Sequence, residues 1–425
     1  MRRGRRFVLV LVAALLVVTL TSAPSSSARG SSGKNRPASA PAADVYTPVE
    51  GSVIGPATYP VLGTDKKYHV VYDLELQNAA TVAATLQRVD VVDRAKPSRV
   101  LVSYEGDSLV QRLRTLRGGA GVVEDATIGP SEGRLLYVEL TFDSPDQAPK
   151  NVLQHLYVLG PRLPVGPAAT EATQIDYTIA PYDISSRKRL VLAPPVKGKG
   201  WVALNGCCDL RFAHRPSLGA FNGELFDPQL FAIDWKRMND QGAFYAGDQT
   251  KNESYVDYGS PVYAVADGTV VKTFDTLEPN TPGVLPAKDP VQSQQLTPET
   301  ADGNNIVLDI GHGAFVFYAH LQKGTLKVKK GDKVKQGDEL ALLGNTGNAN
   351  ASHLHIHVMD GPSVLGSHGL PYVISGFRYD GQVPVGEILN VDDYLTGSFG
   401  SARLPTPQPR NNELPLNLAI VNFPG

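Results

Sequence analysis

The sequence has few cysteines, few charged residues and, beyond its first twenty residues, no long apolar run. Only two of its 425 residues are cysteine, and they are adjacent. Cys207 and Cys208 therefore cannot close the long loops by which disulfides stabilise small secreted domains, and they either remain thiols or form a vicinal bridge. Charged residues make up 19% of the chain and the formal net charge is −2, which argues against a general attraction to nucleic acid.

The residues that are abundant indicate a folded chain of more than one domain. There are 41 glycines and 32 prolines, but they follow no three-residue repeat, and 42% of the residues are hydrophobic. This composition excludes collagen and wholesale disorder. At about 150 residues per domain, the length predicts two or three domains.

The N-terminus has the layout of a secretory signal peptide. Four arginines among the first six residues precede a mostly apolar stretch at 7–20 and a small-residue cleavage site at 26–28. The apolar stretch is shorter than the roughly 20 residues that span a bilayer. We therefore predict a signal peptide at 1–28 and a flexible linker at 29–44, rich in Ser, Ala, Pro and Gly. The mature chain is expected to be secreted, and to meet the membrane only through its signal peptide during export.

Alternating apolar residues predict a β-sandwich over residues 45–195. Every second residue is apolar in 70–76 and again in 136–142, which is the period of half-buried strands. We predict a small antiparallel, immunoglobulin-like sandwich here. His69 and His155 lie in strand-like runs and are expected to be packed or surface residues.

Strand-like runs continue after a Pro- and Gly-rich boundary at 194–200. A Pro-rich loop at 275–304 interrupts them, and a connection of roughly thirty residues is typical of a functional or mobile segment. Residues 396–425 are predicted to form a Pro-rich tail, within which 416–423 can dock as one last strand.

Three histidines at alternate positions form the most informative motif. His353, His355 and His357 would share one face of a strand, because residues i, i+2 and i+4 point the same way. Such rings can divide the work, since one can hold a cation while another reaches the water bound to it. The motif alone is also typical of cupin barrels, so a cupin-like metal enzyme that acts on a small molecule is an alternative.

The neighbouring motifs resemble those of the lysostaphin/LytM-type zinc metallopeptidases, which are peptidoglycan endopeptidases. The matching motifs occur in the family's order: Ala232-Ile-Asp234, Gly259-Ser-Pro-Val262, Tyr318-Ala-His320-Leu321, Gly331-Asp-Lys-Val334, Gly344-Asn-Thr-Gly347 and His353-Leu-His355. The ordered set is specific, although each piece alone is weak. The resemblance implies an antiparallel-β peptidase domain with an open groove at 201–395. With the immunoglobulin-like sandwich that the alternation predicts before it, the whole protein is expected to be mostly β.

The resemblance also implies a role for each matching residue. Asp234 and His355 match ligands of a zinc ion whose fourth position holds water. His320 and His353 match the catalytic pair that orients or deprotonates this water. The same assignment suits the chemistry of zinc, which prefers His nitrogen and carboxylate oxygen and lowers the pKa of bound water to about 7.

One ligand departs from the family pattern. The family places a histidine four residues before the aspartate, but here that residue is Leu230, which cannot bind zinc. We predict that His214 replaces it, provided that 216–227 folds back as a hairpin around Gly219 and Gly223. The alternatives for this ligand are His357, Cys207 and Cys208.

Together these expectations describe a secreted, cell-wall-associated zinc endopeptidase that hydrolyses peptide bonds in peptidoglycan stems or cross-links. Its main rival is a catalytically inactive wall-binding or regulatory module of the same fold. Such relatives lack several of the five key residues, whereas four of the five stand in register here. We expect a Zn²⁺ cofactor and a peptidoglycan or other peptide substrate, and no nucleic-acid partner. The sequence does not define the oligomeric state or the role of the N-terminal module.

Overall fold

The computed structural model describes residues 44–116, 121–388, 399 and 403–425. The predicted signal peptide and all but the last residue of the predicted linker lie outside these ranges. Residues Val45–Gly425 form one compact unit. Within the described ranges, no helix combines the length and the apolar character that a membrane span needs. The mostly β architecture predicted from the sequence is confirmed.

The first part of the unit contains two antiparallel five-stranded sheets. One has the order β1-β3-β8-β6 with β2 beside β3, and the other has the order β10-β9-β4-β5 with β7 beside β4. A cluster of buried residues joins the two sheets, with Val70 and Leu136 from the first and Val91 and Leu156 from the second. The immunoglobulin-like topology stays a prediction. The elements are β1 (Val49–Ile54), β2 (Val61–Leu62), β3 (Tyr68–Asn78), β4 (Ala84–Asp93), β5 (Lys96–Glu105), α1 (Gly106–Val110), β6 (Leu113–Thr115), β7 (Thr127–Ile128), β8 (Gly133–Phe142), β9 (Asn151–Gly160) and β10 (Thr173–Asp183).

The second part is built around a ten-stranded antiparallel sheet. Its order is β20-β17-β18-β19-β22-β15-β12-β26-β24-β25. The segment predicted to dock as a last strand does so, because β26 pairs with both β12 and β24. The elements are β11 (Leu190–Leu192), β12 (Gly198–Leu204), β13 (Gly219–Phe221), β14 (Glu224–Phe226), β15 (Ile233–Arg237), β16 (Pro261–Tyr263), β17 (Gly268–Phe274), β18 (Asn304–Asp309), β19 (Phe315–Leu321), β20 (Lys333–Val334), β21 (Glu339–Leu342), β22 (Leu354–Met359), β23 (Tyr372–Ile374), β24 (Phe377–Gln382), β25 (Arg403–Arg410) and β26 (Ala419–Phe423).

The two parts share a hydrophobic core. Tyr59, Val61 and Val71 from the N-terminal strands belong to the same buried cluster as Trp201 and Trp235 of the large sheet. Contacts of this kind remove apolar surface of both parts from water, which stabilises them together. The boundaries predicted at 45–195 and 201–395 stay predictions, and the residues on either side of them pack as one body.

A buried histidine in the first sheet is held by two carboxylates. His69 is 4% exposed, its Nδ1 lies 2.9 Å from Glu139 Oε1, and its Nε2 lies 3.1 Å from Asp65 Oδ1. Burial lowers the pKa of His69, but the hydrogen bonds and charges of the two carboxylates outweigh burial and raise the pKa to about 9. His69 is therefore a packed residue, as the sequence predicted, and it carries a positive charge at neutral pH.

This charge predicts a pH-dependent loss of stability in His69→Gln. Because the folded pKa lies above the unfolded value near 6.5, the stabilisation is complete below about pH 6.5 and disappears as the pH rises through 9. At about 1.4 kcal/mol per pKa unit, the variant should lose about 3 kcal/mol of unfolding free energy at pH 6 and much less at pH 10, measured by urea denaturation. His155→Gln, which alters a surface hydrogen bond to Asp176, is the control, and an equal loss at both pH values would contradict the assignment.

Candidate metal centre

The centre of the large sheet holds the histidine and aspartate motifs. β22 lies between β15 and β19, and the register places Asp234 of β15 directly opposite His355 of β22, which in turn lies opposite Ala319 of β19. Directly opposite residues of an antiparallel pair project to the same face of the sheet. Strand pairing thus brings together two side chains that lie 121 residues apart in the chain.

Three of the predicted site residues meet at one point. His355 Nδ1 lies 2.9 Å from Asp234 Oδ1, and His214 Nε2 lies 3.3 Å from Asp234 Oδ2. The ligand atoms that these residues offer all lie within 4.8 Å of one another, and all three residues are buried. Ligands about 2.1 Å from a tetrahedral zinc are about 3.4 Å apart, so the spacing is suited to a shared ion.

The predicted hairpin is present between His214 and Asp234. β13 and β14 pair antiparallel with Gly219 opposite Phe226. Asn222 and Gly223 form the two-residue turn at φ 53° and 89°, the left-handed region that asparagine and glycine adopt most readily. The hairpin returns the chain to β15, so a histidine twenty residues before Asp234 reaches the carboxylate. Leu230, at the position where the family has its histidine, is buried in the hydrophobic core.

The other three residues considered for this ligand are engaged elsewhere. His357 Nδ1 lies 2.8 Å from His355 Nε2, so this ring packs behind His355 on the same face of the strand. Cys207 and Cys208 form a vicinal disulfide and so present no thiolate. Among the described residues, the cluster that contains Asp234 and His355 is completed by His214.

Backbone carbonyls fix the tautomers of three rings. The Nδ1 atom lies 3.2 Å from Ala232 O in His214, 2.7 Å from Thr346 O in His320 and 2.9 Å from Ala351 O in His353. Because a carbonyl only accepts hydrogen bonds, each Nδ1 carries a proton and donates it. The Nε2 atom of each neutral ring then has a lone pair for a cation or a proton, which is the orientation that metal-binding histidines use.

The predicted catalytic pair lies beside the group of His214, Asp234 and His355. The rings of His320 and His353 are 4.5 Å apart between centroids, and His353 Nε2 lies 3.6 Å from Asp234 Oδ1. His353 has the more exposed side chain of this second pair, at 14%. His320 has a φ of 60°, a left-handed conformation that non-glycine residues rarely adopt and that is often found at functional sites. Its backbone N–H donates to Asp302 O at 3.2 Å.

The electrostatics favour an ionised Asp234 carboxylate and a neutral His355, whereas the pKa of His214 is raised, because the charge of Asp234 outweighs burial. Burial raises the pKa of Asp234, but its electrostatic and hydrogen-bond interactions with the surrounding imidazoles, of which His214 contributes most, outweigh burial and hold it well below its usual range. Burial is the largest cause that lowers the pKa values of His320, His353 and His355. Metal ligands must be deprotonated, and for Asp234 and His355 these shifts favour that state near neutral pH.

Two groups that support the site carry no signal in the sequence. Asn205 follows β12 and donates from Nδ2 to Asp234 Oδ2 at 2.6 Å, so the carboxylate is held by an amide as well as by imidazoles. Lys236 donates to the carbonyl of Ser352, the residue before His353, at 2.5 Å and lies 3.7 Å from Asp257 Oδ2. Both contacts arise from strand pairing and tertiary packing, and neither belongs to the motifs that identified the site.

The site contains two imidazoles and a carboxylate at one point, and two further imidazoles lie beside them on the antiparallel sheet. This arrangement is typical of metal-dependent hydrolases. Residues 253–365 match the family model described as Peptidase family M23, and the chain therefore contains an M23 peptidase domain. The resemblance found in the sequence is confirmed. The matched segment includes His320, His353 and His355, and it begins after His214 and Asp234.

The chain is similar to two curated proteins over short segments. Peptidoglycan DD-endopeptidase ShyA of Vibrio cholerae is 34% identical over 101 residues, which are 24% of this chain and 18% of that protein. An uncharacterized metalloprotease of Buchnera aphidicola is 30% identical over 138 residues, 32% of this chain and 27% of that protein. The chain thus spans less than a third of the length of either relative.

A solved structure, the catalytic domain of the antimicrobial peptidase lysostaphin from Staphylococcus simulans, is 20% identical. It covers 42% of this chain and 88% of its own length, with a TM-score of 0.21. Because this score is low, the function proposed below depends on the family match and on the geometry of the site.

The variant His214→Ala tests whether His214 serves as the metal ligand that the family has at the position of Leu230. Removing one of three protein ligands should weaken zinc binding at least as much as the loss of an outer-shell partner, about 10- to 100-fold, measured by metal analysis and by chelator competition. His155→Ala should bind zinc like the wild type. If the affinity of His214→Ala is unchanged, another residue supplies the third ligand.

Proposed function

We propose that this protein is a zinc-dependent endopeptidase that cleaves peptide bonds in peptidoglycan stems or cross-links. The observation that carries the proposal is the meeting of His214, Asp234 and His355 next to His320 and His353 in a chain with an M23 domain. The name of the Vibrio cholerae relative supports peptidoglycan as the substrate class. Because the match covers only 18% of that relative, the substrate is part of the proposal.

The donor set suits zinc. His214 and Asp234 with His355 would hold the ion through two imidazole nitrogens and a carboxylate oxygen, which are donors that zinc prefers, and three protein ligands leave a fourth position open. When bound, zinc lowers the pKa of water to about 7 and polarises a carbonyl as a Lewis acid. The side-chain amide of Asn205 donates a hydrogen bond to Asp234 Oδ2, and this bond helps to fix the orientation of the carboxylate.

The two remaining histidines are suited to move protons. His320 and His353 both present Nε2 lone pairs, because their Nδ1 protons are donated to the carbonyls of Thr346 and Ala351. Burial lowers both pKa values, so the rings begin the reaction neutral and can accept a proton from the attacking water. Returning that proton to the leaving amine completes the acid–base cycle. The carbonyls stabilise each ring in its charged form.

The side chains of the site are largely covered by the surrounding structure. The side chains of His214, Asp234 and His355 are 3–9% exposed, and that of His353 is 14% exposed. Asn280 of the long Pro-rich loop donates to the carbonyls of Gly347 and Ala349 at 2.7 and 2.8 Å, and so ties this loop to the segment that carries Thr346. We infer that the substrate enters beside His353, and that the loop forms a wall of its path.

The rival interpretations have less support. An inactive wall-binding or regulatory module has no need to keep two proton-transfer histidines next to a group of candidate metal ligands. A cupin enzyme would enclose its histidines in a closed barrel, whereas the sheet described here runs as an open path from β20 to β25. Secretion and association with the cell wall remain part of the proposal and rest on the signal-peptide pattern in residues 1–28.

Substitutions should separate metal binding from proton transfer. His355→Ala should lose both zinc and activity, since it removes a ligand. His320→Gln should keep about one zinc per chain and lose about 10²- to 10⁴-fold in kcat, the usual contribution of general acid–base catalysis. The measurements are metal content and the release of new amino groups from purified peptidoglycan.

His155→Gln is the matched control and should retain both zinc and activity. Wild-type protein that folds but binds no zinc, or that binds zinc and cleaves neither peptidoglycan nor its stem peptides, would contradict the proposed function. Full activity in His320→Gln would contradict the role given to this histidine.

A further inference from the structure

The residue next to His214 is held by the N-terminal sheet. Arg215 is 2% exposed, its Nη2 lies 2.6 Å from Asp73 Oδ1, and its Nη1 donates to Asp73 Oδ2 at 2.9 Å. Asp73 belongs to β3 and is 1% exposed. One hydrogen bond and one close charge contact thus join the guanidinium to the same buried carboxylate. The backbone on one side of His214 is therefore tied to the N-terminal strands.

Two further groups complete the surroundings of Arg215. The guanidinium lies over the ring of Tyr137 on β8, 4.6 Å from its centroid, and Nη1 lies 3.7 Å from Asp227 Oδ2 at the end of the hairpin. A buried cation needs such partners, because an unpaired charge in the interior is strongly destabilising. The N-terminal sheet contributes both the carboxylate of Asp73 and the aromatic face of Tyr137.

Apolar contacts attach the same segment to the same sheet. Leu218, four residues after His214, is buried in a cluster with Leu135 and Tyr137 of β8. Ile54 of β1 and Leu210, four residues before His214, pack against this cluster. The stretch 210–218 thus rests on the N-terminal sheet on both sides of His214, while the ring of His214 points to Ala232 and Asp234.

We propose that the N-terminal β-sandwich is a positioning element of the metal centre, in which Asp73 acts through Arg215 to hold His214 at Asp234. The inference rests on the proposed function, because it concerns a ligand of the proposed zinc ion. A ligand four residues before Asp234 would be fixed by its short connection to β15. His214 lies twenty residues before Asp234 and lacks such a short connection, so other contacts must hold it in place.

The double variant Asp73→Leu with Arg215→Met tests this inference. It removes the buried pair together, and replacing such a pair by apolar residues is often tolerated by the fold. Asp227 loses the cation as well, but burial already raises its pKa well above the usual value, so this carboxyl can stay neutral. We expect its zinc dissociation constant to rise about 10- to 100-fold, as for other losses of support behind a ligand. Chelator competition measures the constant, and hydrogen exchange of amides 210–218 in the metal-free protein should become faster.

Lys66→Met is the matched control. Lys66 Nζ lies 2.6 Å from Glu413 Oε1, so it also links the N-terminal strands to the second part, but it has no contact with the 210–218 stretch. Glu413 keeps a second partner in Arg410 at 3.3 Å. This variant should bind zinc like the wild type and show unchanged exchange at 210–218.

The outcomes separate this inference from the proposed function. An unchanged zinc affinity in the double variant, with zinc bound by the wild type, overturns the inference and leaves the endopeptidase proposal intact. Equal weakening in Lys66→Met also overturns it, because the effect would then be general destabilisation. A wild type that binds no zinc overturns both. If the double variant does not fold, Asp73→Asn, which keeps the shape of the side chain, decides by the same two measurements.

Discussion

The structure around the candidate site depends on one buried carboxylate. Asp234 lies in the middle of the large sheet, where an anion without partners would be strongly destabilising. The side chains of His214, His355 and Asn205 all meet its oxygens, and each comes from a different segment of the chain. The pairing of β15 with β22 fixes the contact with His355, while the hairpin brings in His214 and the end of β12 brings in Asn205.

Ring orientation is set by the backbone more than by other side chains. Three of the site's histidines donate their Nδ1 protons to carbonyls of neighbouring loops, at Ala232, Thr346 and Ala351. These carbonyls are parts of the folded chain and cannot rotate away as a side chain would. The Nε2 atoms therefore face the site before any ligand arrives, and this preorganisation reduces the cost of binding a metal and of starting proton transfer.

Local patterns in the sequence predicted the parts of the structure that depend on local chemistry. Alternation identified the strands around Val70, Leu136 and His355, and motif order identified the M23 domain. The neighbours of each strand were not predictable in this way, because pairing depends on packing between distant segments. For that reason Asn205 was missed. The adjacent cysteines were compatible with thiols or with a bridge, and the structure has the bridge.

The proposed role of His214 as a metal ligand gives a physical reason for the close packing of the two parts. A module joined only by a linker has a smaller and more polar interface with its neighbour. Here Val61 and Val71 share a core with Trp235, one residue beyond Asp234, and Arg215 crosses between the parts as a buried cation. Buried ionic contacts add little net stability but demand one geometry. Because they lie next to His214, these contacts suit the precise placement that the proposed ligand requires, which an apolar contact would not demand.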